Sequence, residues 1–122
     1  MSFELITQYP HMVKTLFKPA ESLLSELTQH KVDCMHAVAG VCGESGELLD
    51  AVKKYWAYDK PLDRENLIEE LGDIEFYLEA LRQKCSVTRE QTLEANMAKL
   101  AKRYEGFQYT NAAAIFRADK QS

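Results

Sequence analysis

Hydrophobic residues recur every three or four positions along most of the chain, with polar residues between them. This spacing places apolar side chains on one face of an α-helix, and no stretch shows the alternation typical of a half-buried β-strand. The pattern therefore predicts an all-α fold, a helical bundle of four to five helices. The predicted helices cover roughly residues 2–9, 19–27, 33–55, 64–84 and 89–105.

Several residues at the predicted helix ends have the chemistry of helix caps and breakers. Pro10 has no backbone N–H group, so we expect the first helix to end before it. Asp63 stands where its carboxylate can cap the fourth helix. Thr88 and Gln91 form the capping-box pair of the fifth helix, and Gly106 is the residue type that favours the C′ position after it.

Composition and charge restrict the class of protein. The 122 residues suit one domain over 1–122, and the net charge of −4 lacks the basic footprint of a protein that binds a nucleic acid polymer. No apolar run is long enough to span a bilayer, and the first ten residues lack the basic region of a signal peptide. We therefore expect a cytoplasmic protein that does not contact membranes.

The three cysteines, Cys34, Cys42 and Cys85, have neither the spacing of a metal site nor that of a redox pair. In a reducing cytoplasm such thiols are usually buried or idle. The sequence alone assigns them no role.

Two pairs of acidic residues flank the apolar faces of the third and fourth predicted helices. The two acids of each pair stand three positions apart and so lie on one side of their helix. The short loop between the helices makes them antiparallel neighbours, and we expect the two acidic stripes to face each other. The pairs are Glu44 with Glu47, and Glu70 with Asp73.

Four converging carboxylates require cations. Two carboxylates about 5 Å apart repel each other by about 3 kcal/mol at an effective dielectric constant of about 20. A site with oxygen ligands alone suits a hard ion, Mg²⁺ first and Mn²⁺ second, and the E-x-x-H sequence of di-iron bundles is absent. A single E-x-x-E pair on a solvated helix needs no metal, so the prediction depends on having two pairs together.

Glycines interrupt the third helix beside its acidic pair, in the stretch GVCGESGEL at 40–48. Gly40 and Gly43 leave bare backbone next to the Glu44 and Glu47 face, where a ligand or another helix can approach closely. Tight packing between helices, without any ligand, is the alternative explanation.

A polar stripe on the fifth helix suggests a phosphate-containing substrate. Asn96, Lys99 and Arg103 lie in line beside its apolar face, and two cations with an amide donor suit phosphate oxygens. Lys54, on the acidic stripe of the third helix, joins this set. Such cations alone are usually solvated surface, and it is their combination with the acids that predicts a polyphosphate substrate.

Three stretches of sequence carry a family resemblance: HAVAGVCGESGELLDAVKKYW, KPLDRENLIEELGDIEFYLEAL and ANMAKLAKRYEGF. They resemble the MazG-like branch of the all-α nucleoside triphosphate pyrophosphohydrolases, over roughly residues 30–110. An E-x-x-E sequence followed by E-x-x-D is the metal-binding signature of that family. The sequence N-x-x-K-L-x-x-R-Y, from Asn96 to Tyr104, makes the match more specific.

The resemblance implies an activity and a role for each candidate residue. It implies Mg²⁺-dependent hydrolysis of a nucleoside triphosphate between its α and β phosphates, in a homodimer or homotetramer. The four acids would hold one or more ions, and one of them, with Glu47 as the first candidate, would act as general base. His36 and Trp56 are candidates for contact with the base or sugar, although for Trp56 simple packing in the core or at an interface is the preferred interpretation. The implied phosphate ligands are Lys54, Asn96, Lys99 and Arg103.

Two other hypotheses follow from the same residues. The chain is either a relative that acts on another nucleotide, such as phosphoribosyl-ATP or a modified deoxynucleotide, or a catalytically idle helical interaction module. A decayed homologue should have lost part of the motif, yet all four acids, Lys99 and Arg103 are present. This disfavours the idle module.

Overall fold

The computed structural model describes residues 2–121, and these residues form helices and short connections without any strand. The prediction of an all-α fold is confirmed. No helix in this part of the chain is both long enough and apolar enough to cross a membrane. Two single-turn 3-10 helices lie at Glu105–Phe107 and Ala118–Lys120. The α-helices are α1 (Phe3–Leu16), α2 (Ala20–Glu26), α3 (Gln29–Ala57), α4 (Arg64–Cys85), α5 (Arg89–Arg103) and α6 (Asn111–Phe116).

Two predicted helix ends are wrong. α1 continues through Pro10 to Leu16, because an internal proline removes one helical hydrogen bond without abolishing those of the following turns. α3 begins at Gln29 instead of near residue 33, because the Thr28 hydroxyl accepts a hydrogen bond from the amide of Lys31 at 3.2 Å and so caps the helix earlier.

The predicted N-terminal caps of α4 and α5 are present, and Gly106 lies one position later than predicted. The Asp63 carboxylate accepts a hydrogen bond from the amide of Asn66 at 3.1 Å. Thr88 and Gln91 form the reciprocal capping box of α5, with bonds of 2.8 and 3.1 Å. Gly106 has the expected left-handed backbone, with φ of 62°, but it lies one position beyond C′, inside the 3-10 turn after α5.

The chain divides into two compact units between Val32 and Asp33. The first unit contains α1 and α2, and an ion pair between Lys18 and Glu26, with 2.9 Å between Nζ and Oε2, spans the second of these helices. The second unit contains α3 from Asp33 onward, together with α4, α5 and α6. All four predicted metal ligands lie in the second unit.

In the second unit α3 and α4 run antiparallel. Cys34 near the start of α3 lies beside Cys85 at the end of α4, and Gly40 lies beside Tyr77 one to two turns further along. The acidic residues follow next, and the loop at 58–63 joins the two helices at the opposite end. The two helices therefore form a hairpin with the acids near its middle.

This hairpin covers its apolar face only partly. Among residues 2–121, Ala37 is the one residue that is buried, with 4% of its surface exposed. Val38 and Tyr55 on α3 and Leu71 on α4 expose about half of their surface. Other apolar residues of the two helices are half-buried, among them Val41, Leu48, Ile74 and Leu78. The apolar faces of α3 and α4 are thus only partly covered in the single chain.

Candidate active site

Three of the four predicted ligands converge where α3 and α4 pass each other. One carboxylate oxygen from each of Glu44, Glu70 and Asp73 lies within 4.8 Å of the other two. Glu44 and Glu70 are half-buried, and Asp73 is exposed. Glu47 is one turn beyond Glu44 and lies outside this group of three. It is near enough to Glu70 for its negative charge to raise the pKa of Glu70. The acidic stripes thus lie near each other in the structure.

The negative charges of the cluster act on Glu70. Partial burial raises the pKa of its carboxyl group, and the negative charges of Asp73, Glu47 and Glu44 raise it further, in that order of size. Each of these neighbours makes the ionised form of Glu70 less favourable. A bound cation would reverse the effect, because it would attract the carboxylates that now repel one another.

The donor set fits a hard divalent cation. Carboxylate oxygens are the ligands that Mg²⁺ and Mn²⁺ prefer, and Mg²⁺ is commonly held by a few carboxylates with the remaining positions left to water and phosphate. Three carboxylates within 4.8 Å, one of them with a raised pKa, supply such a set. Glu44, Glu70 and Asp73 are therefore suited to hold the metal, with Glu47 at the edge.

A cleft of about 430 Å³ adjoins the acids. It lies between the second half of α3, the connecting loop and the first half of α4. Its charged lining residues are the acids Glu47, Asp50, Asp63 and Glu70 and the cations Lys54 and Lys60. The amide of Lys60 donates to the carbonyl of Lys54 at 3.1 Å, which folds the loop back onto the end of α3. Acidic and basic groups thus face the same space.

No sequence pattern singles out Lys60. It belongs to the loop segment KPLDREN, which the family resemblance includes but to which no role was assigned. Helical periodicity does not extend into a loop, so only the fold of the turn brings Lys60 beside Lys54. Lys54 itself lies in the last turn of α3 and lines the cleft.

The predicted phosphate ligands on α5 do not line the cleft that contains Lys54 and Lys60. Asn96 and Lys99 are exposed and do not line the acidic cleft. Arg103 is bound to Asp119: Nε donates to Oδ1 at 2.6 Å and Nη2 donates to Oδ2 at 2.9 Å. The pair is mostly covered, with 16% of the Arg103 side chain and 4% of the Asp119 side chain exposed.

This bidentate pair joins the C-terminal segment to α5. The hydrogen bonds from Arg103 hold the pKa of Asp119 at about 2, and the bond to Asp119 raises the pKa of Arg103. Arg103 also borders a second cleft of about 810 Å³, between α5 and the residues that follow it. None of the four acids lines this larger cleft, so the smaller one is the candidate active site.

The two residues expected near a base or sugar lie at different places on α3. His36 is exposed, and its ring centroid is 6.1 Å from that of Tyr77. Trp56, at the C-terminal end of α3, is 66% exposed, so packing inside the single chain does not account for it. Neither residue lines the cleft beside the acids.

The glycines of the 40–48 stretch have separate environments. A Cβ atom at Gly40 would overlap the ring of Tyr77, so this glycine allows α4 to approach α3. Nothing lies within 4 Å of a Cβ placed at Gly43 or Gly46. Close packing between helices therefore explains Gly40, and the space beside Gly43 is open.

Comparison with known protein families gives one finding. Residues 35–107 match the family model described as the MazG nucleotide pyrophosphohydrolase domain. The matched segment contains all four acids, Lys54, Lys60 and the whole of α5. No curated protein and no solved structure matches the chain.

Proposed function

Because the chain belongs to the MazG nucleotide pyrophosphohydrolase family, we propose that it hydrolyses a nucleoside triphosphate to the monophosphate and pyrophosphate. The observation that carries the proposal is the convergence of Glu44, Glu70 and Asp73 beside a cleft that also contains lysines. A charged surface on an interaction module does not need acids and bases that face one cleft.

The acids are proposed to hold Mg²⁺, for which Mn²⁺ can substitute. Glu44, Glu70 and Asp73 would supply the ligands, and Glu47 would complete the set from the next turn of α3. When bound, the metal supplies positive charge that binds the phosphates and lowers the energy of the charge that develops during hydrolysis. Partial burial of Glu44 and Glu70 limits the freedom of both carboxylates before the metal binds.

Glu47 is the proposed general base. The reaction forms a bond between a water oxygen and the α-phosphorus, and it breaks the bond from that phosphorus to the oxygen bridging the β phosphate. Glu47 is exposed and lines the cleft together with Glu70, so its carboxylate can accept the proton of the attacking water. Glu44 is half-buried within the group of three and is better placed as a ligand.

Lys54 and Lys60 are proposed to bind the phosphates that leave as pyrophosphate. Both line the cleft that contains Glu47 and Glu70, and two ammonium groups there would offset the charge on the departing group. Asn96, Lys99 and Arg103 on α5 stay proposed phosphate ligands on the family motif alone. For Arg103 this role requires exchange of the Asp119 carboxylate for phosphate.

We also propose that the active form is a homodimer or homotetramer. Large apolar side chains on α3 and α4 are widely exposed, among them Trp56 at 66%, Ile68 at 65% and Phe76 at 68%. Exposed apolar surface of this kind is typical of an interface between subunits. Sedimentation of the purified protein should give a multiple of the chain mass, and a monomer at all concentrations would contradict the proposal.

A pyrophosphate-release assay tests the enzymatic proposal. Canonical and damaged ribonucleotides and deoxynucleotides, with phosphoribosyl-ATP, would be incubated with the protein and Mg²⁺, with Glu70→Gln as the blank. Glu75→Gln is the matched control, since Glu75 is an exposed acid of the same helix outside the cluster. Release that survives in Glu75→Gln and vanishes in Glu70→Gln supports the proposal. No release from any nucleotide would favour the interaction module.

The lysines are tested through the Michaelis constant. Lys60→Ala should raise the KM for the nucleotide about tenfold, the effect of losing about 1.4 kcal/mol of binding. Lys14→Ala removes the same charge from α1 and is the control, since Lys14 does not line the acidic cleft. Equal kinetics of these two variants would remove Lys60 from the proposed site.

A further inference from the structure

Two cysteines that are 51 positions apart in sequence lie together at one end of the α3–α4 hairpin. The Sγ atoms of Cys34 and Cys85 are 3.6 Å apart. Asp33 and Lys84, which directly precede the two cysteines in sequence, form an ion pair between the same two helices, with 3.2 Å between Oδ2 and Nζ. The two thiols therefore meet where α3 and α4 are already in contact.

We propose that Cys34 and Cys85 form a reversible disulfide within the chain, which closes the open end of the α3–α4 hairpin. The loop at 58–63 already joins the helices at the other end. A disulfide needs a sulfur–sulfur distance of about 2.05 Å, so the two Sγ atoms must approach by roughly 1.5 Å. Disulfides of reducing compartments are usually transient and respond to the redox state.

The two thiols differ in exposure, and this difference determines which of them reacts first with an oxidant. Cys85 is exposed, whereas Cys34 is half-buried. Burial, followed by the interaction with Cys85, raises the pKa of the Cys34 thiol, which makes it the weaker nucleophile in the first step. Cys85 is thus the thiol that an external oxidant meets first, and Cys34 is the resolving thiol.

Oxidised glutathione, a small disulfide, is the oxidant for which we write the reaction. The Cys85 thiolate attacks one glutathione sulfur, a mixed disulfide forms, and one glutathione thiolate leaves. The Cys34 thiolate then attacks the Cys85 sulfur, and the second glutathione thiolate leaves. The protein loses two protons and two electrons, and one oxidised glutathione becomes two reduced molecules. An excess of reduced glutathione reverses both steps.

The crosslink should stabilise the hairpin without reaching the acids. Cys34 lies ten residues before Glu44 and Cys85 lies twelve after Asp73, so the disulfide would be roughly 15–18 Å from the cluster along the helices. Closing a loop of about fifty residues restricts the unfolded chain strongly. We expect the midpoint of thermal unfolding to rise on the order of ten degrees on oxidation.

The test is peptide mapping after equilibration of the full chain in oxidised and in reduced glutathione. Non-reducing digestion should give a peptide pair linked through Cys34 and Cys85, from a protein of monomeric chain mass. Cys42→Ser is the matched control, since Cys42 is an exposed cysteine of α3 outside the pair, and it should form the link unchanged. Cys34→Ser and Cys85→Ser should both lose the link and the rise in unfolding midpoint.

Other results would overturn the proposal. A link that includes Cys42, a link between two chains, or glutathione that stays on Cys85 without resolution would each show that Cys34 and Cys85 do not pair. An unchanged unfolding midpoint in fully linked protein would show that the bond does not brace the hairpin. These readouts do not require nucleotide hydrolysis, so they stand or fall separately from the proposed enzymatic function.

Discussion

The ring of Tyr77 on α4 lies against the backbone of Gly40 on α3, in the space that a Cβ atom at position 40 would fill. The same ring forms an edge-to-face pair with the Phe76 ring, with 5.1 Å between centroids, and the His36 ring lies 6.1 Å from it. This contact lies one helical turn from Glu44 on α3 and one turn from Asp73 on α4. It therefore sets the separation of the helices close to the acids.

Gly40→Ala should destabilise the protein, whereas the same change at a neighbouring glycine should not. Alanine gains about 1 kcal/mol over glycine in a helix, but overlap with the Tyr77 ring costs about 1–3 kcal/mol. At Gly43 and Gly46 nothing opposes the gain, so Gly43→Ala and Gly46→Ala should stabilise the fold. Urea unfolding of the three variants measures the free energies.

A double-mutant cycle checks the cause. In a Tyr77→Ala background, the cost of Gly40→Ala should fall or change sign, because the overlapping ring is gone. An unchanged cost in that background would assign it to something other than Tyr77.

Mg²⁺ should raise the unfolding midpoint of the wild-type protein. A ligand that binds only the folded state stabilises it by about 2.7 kcal/mol at a concentration one hundred times its dissociation constant. Glu70→Gln removes a central ligand and should abolish most of the rise, while Glu75→Gln should keep it. Scanning calorimetry at several Mg²⁺ concentrations measures the effect, and an equal rise in both variants would place the metal elsewhere.

Without metal, Glu70 should make the fold less stable at neutral pH than at mildly acidic pH. Its folded-state pKa is raised above the ordinary 4.5, so the ionised form is the unfavourable one in the folded state. The cost is present above the raised pKa and is relieved as pH falls through it towards 4.5. Glu70→Gln should remove this component of the pH dependence. Unfolding at pH 7 and pH 4.5, with chelator present, compares the two proteins.

Asp119 should contribute stability with the opposite dependence on pH. Its pKa is about 2 in the folded chain against 3.8 ordinarily, so its contribution is complete above pH 3.8 and is lost as pH falls towards 2. Asp119→Asn should lower the unfolding midpoint at pH 7, and the difference from wild type should disappear near pH 2. Glu105→Gln, at an exposed acid nearby, is the charge-matched control.

Asp119→Asn also separates two possible roles of Arg103, phosphate binding and attachment of the C-terminal segment. If Arg103 binds phosphate, Arg103→Ala should reduce kcat/KM more than Asp119→Asn does, while both leave Mg²⁺ stabilisation in place. If it serves only to hold the C-terminal segment, the two variants should have equal kinetics.

The elements that the sequence predicts well depend on neighbours within one or two helical turns. The capping box of Thr88 and Gln91 and the cap at Asp63 need only a spacing of three residues. The facing of the acidic pairs adds one assumption, that a short loop makes antiparallel helices. These features could be predicted because each follows from helical geometry and a short chain connection.

The elements that it does not predict depend on tertiary contact. Asp119 meets Arg103 across 16 positions that include three short helical turns. Lys60 reaches the cleft through the fold of a loop, and Cys34 meets Cys85 from the far ends of two helices. No local periodicity encodes these pairings. Local reasoning can also fail by itself. The expectation that Pro10 ends the first helix is wrong, because α1 continues to Leu16.

The acids stand in the interior of long helices, and this determines what the site can offer a phosphate. Within α3 and α4 the backbone amides near Glu44, Glu70 and Asp73 donate to carbonyls of their own helix. They are not free to bind an anion, unlike the amides of a glycine-rich loop or a helix N-terminus. At the acids themselves, an anion must therefore be bound by side chains and a cation, whereas the start of α4 lies at the other side of the cleft. In the proposed enzyme, the contacts that the acids make with a substrate can therefore be altered one side chain at a time.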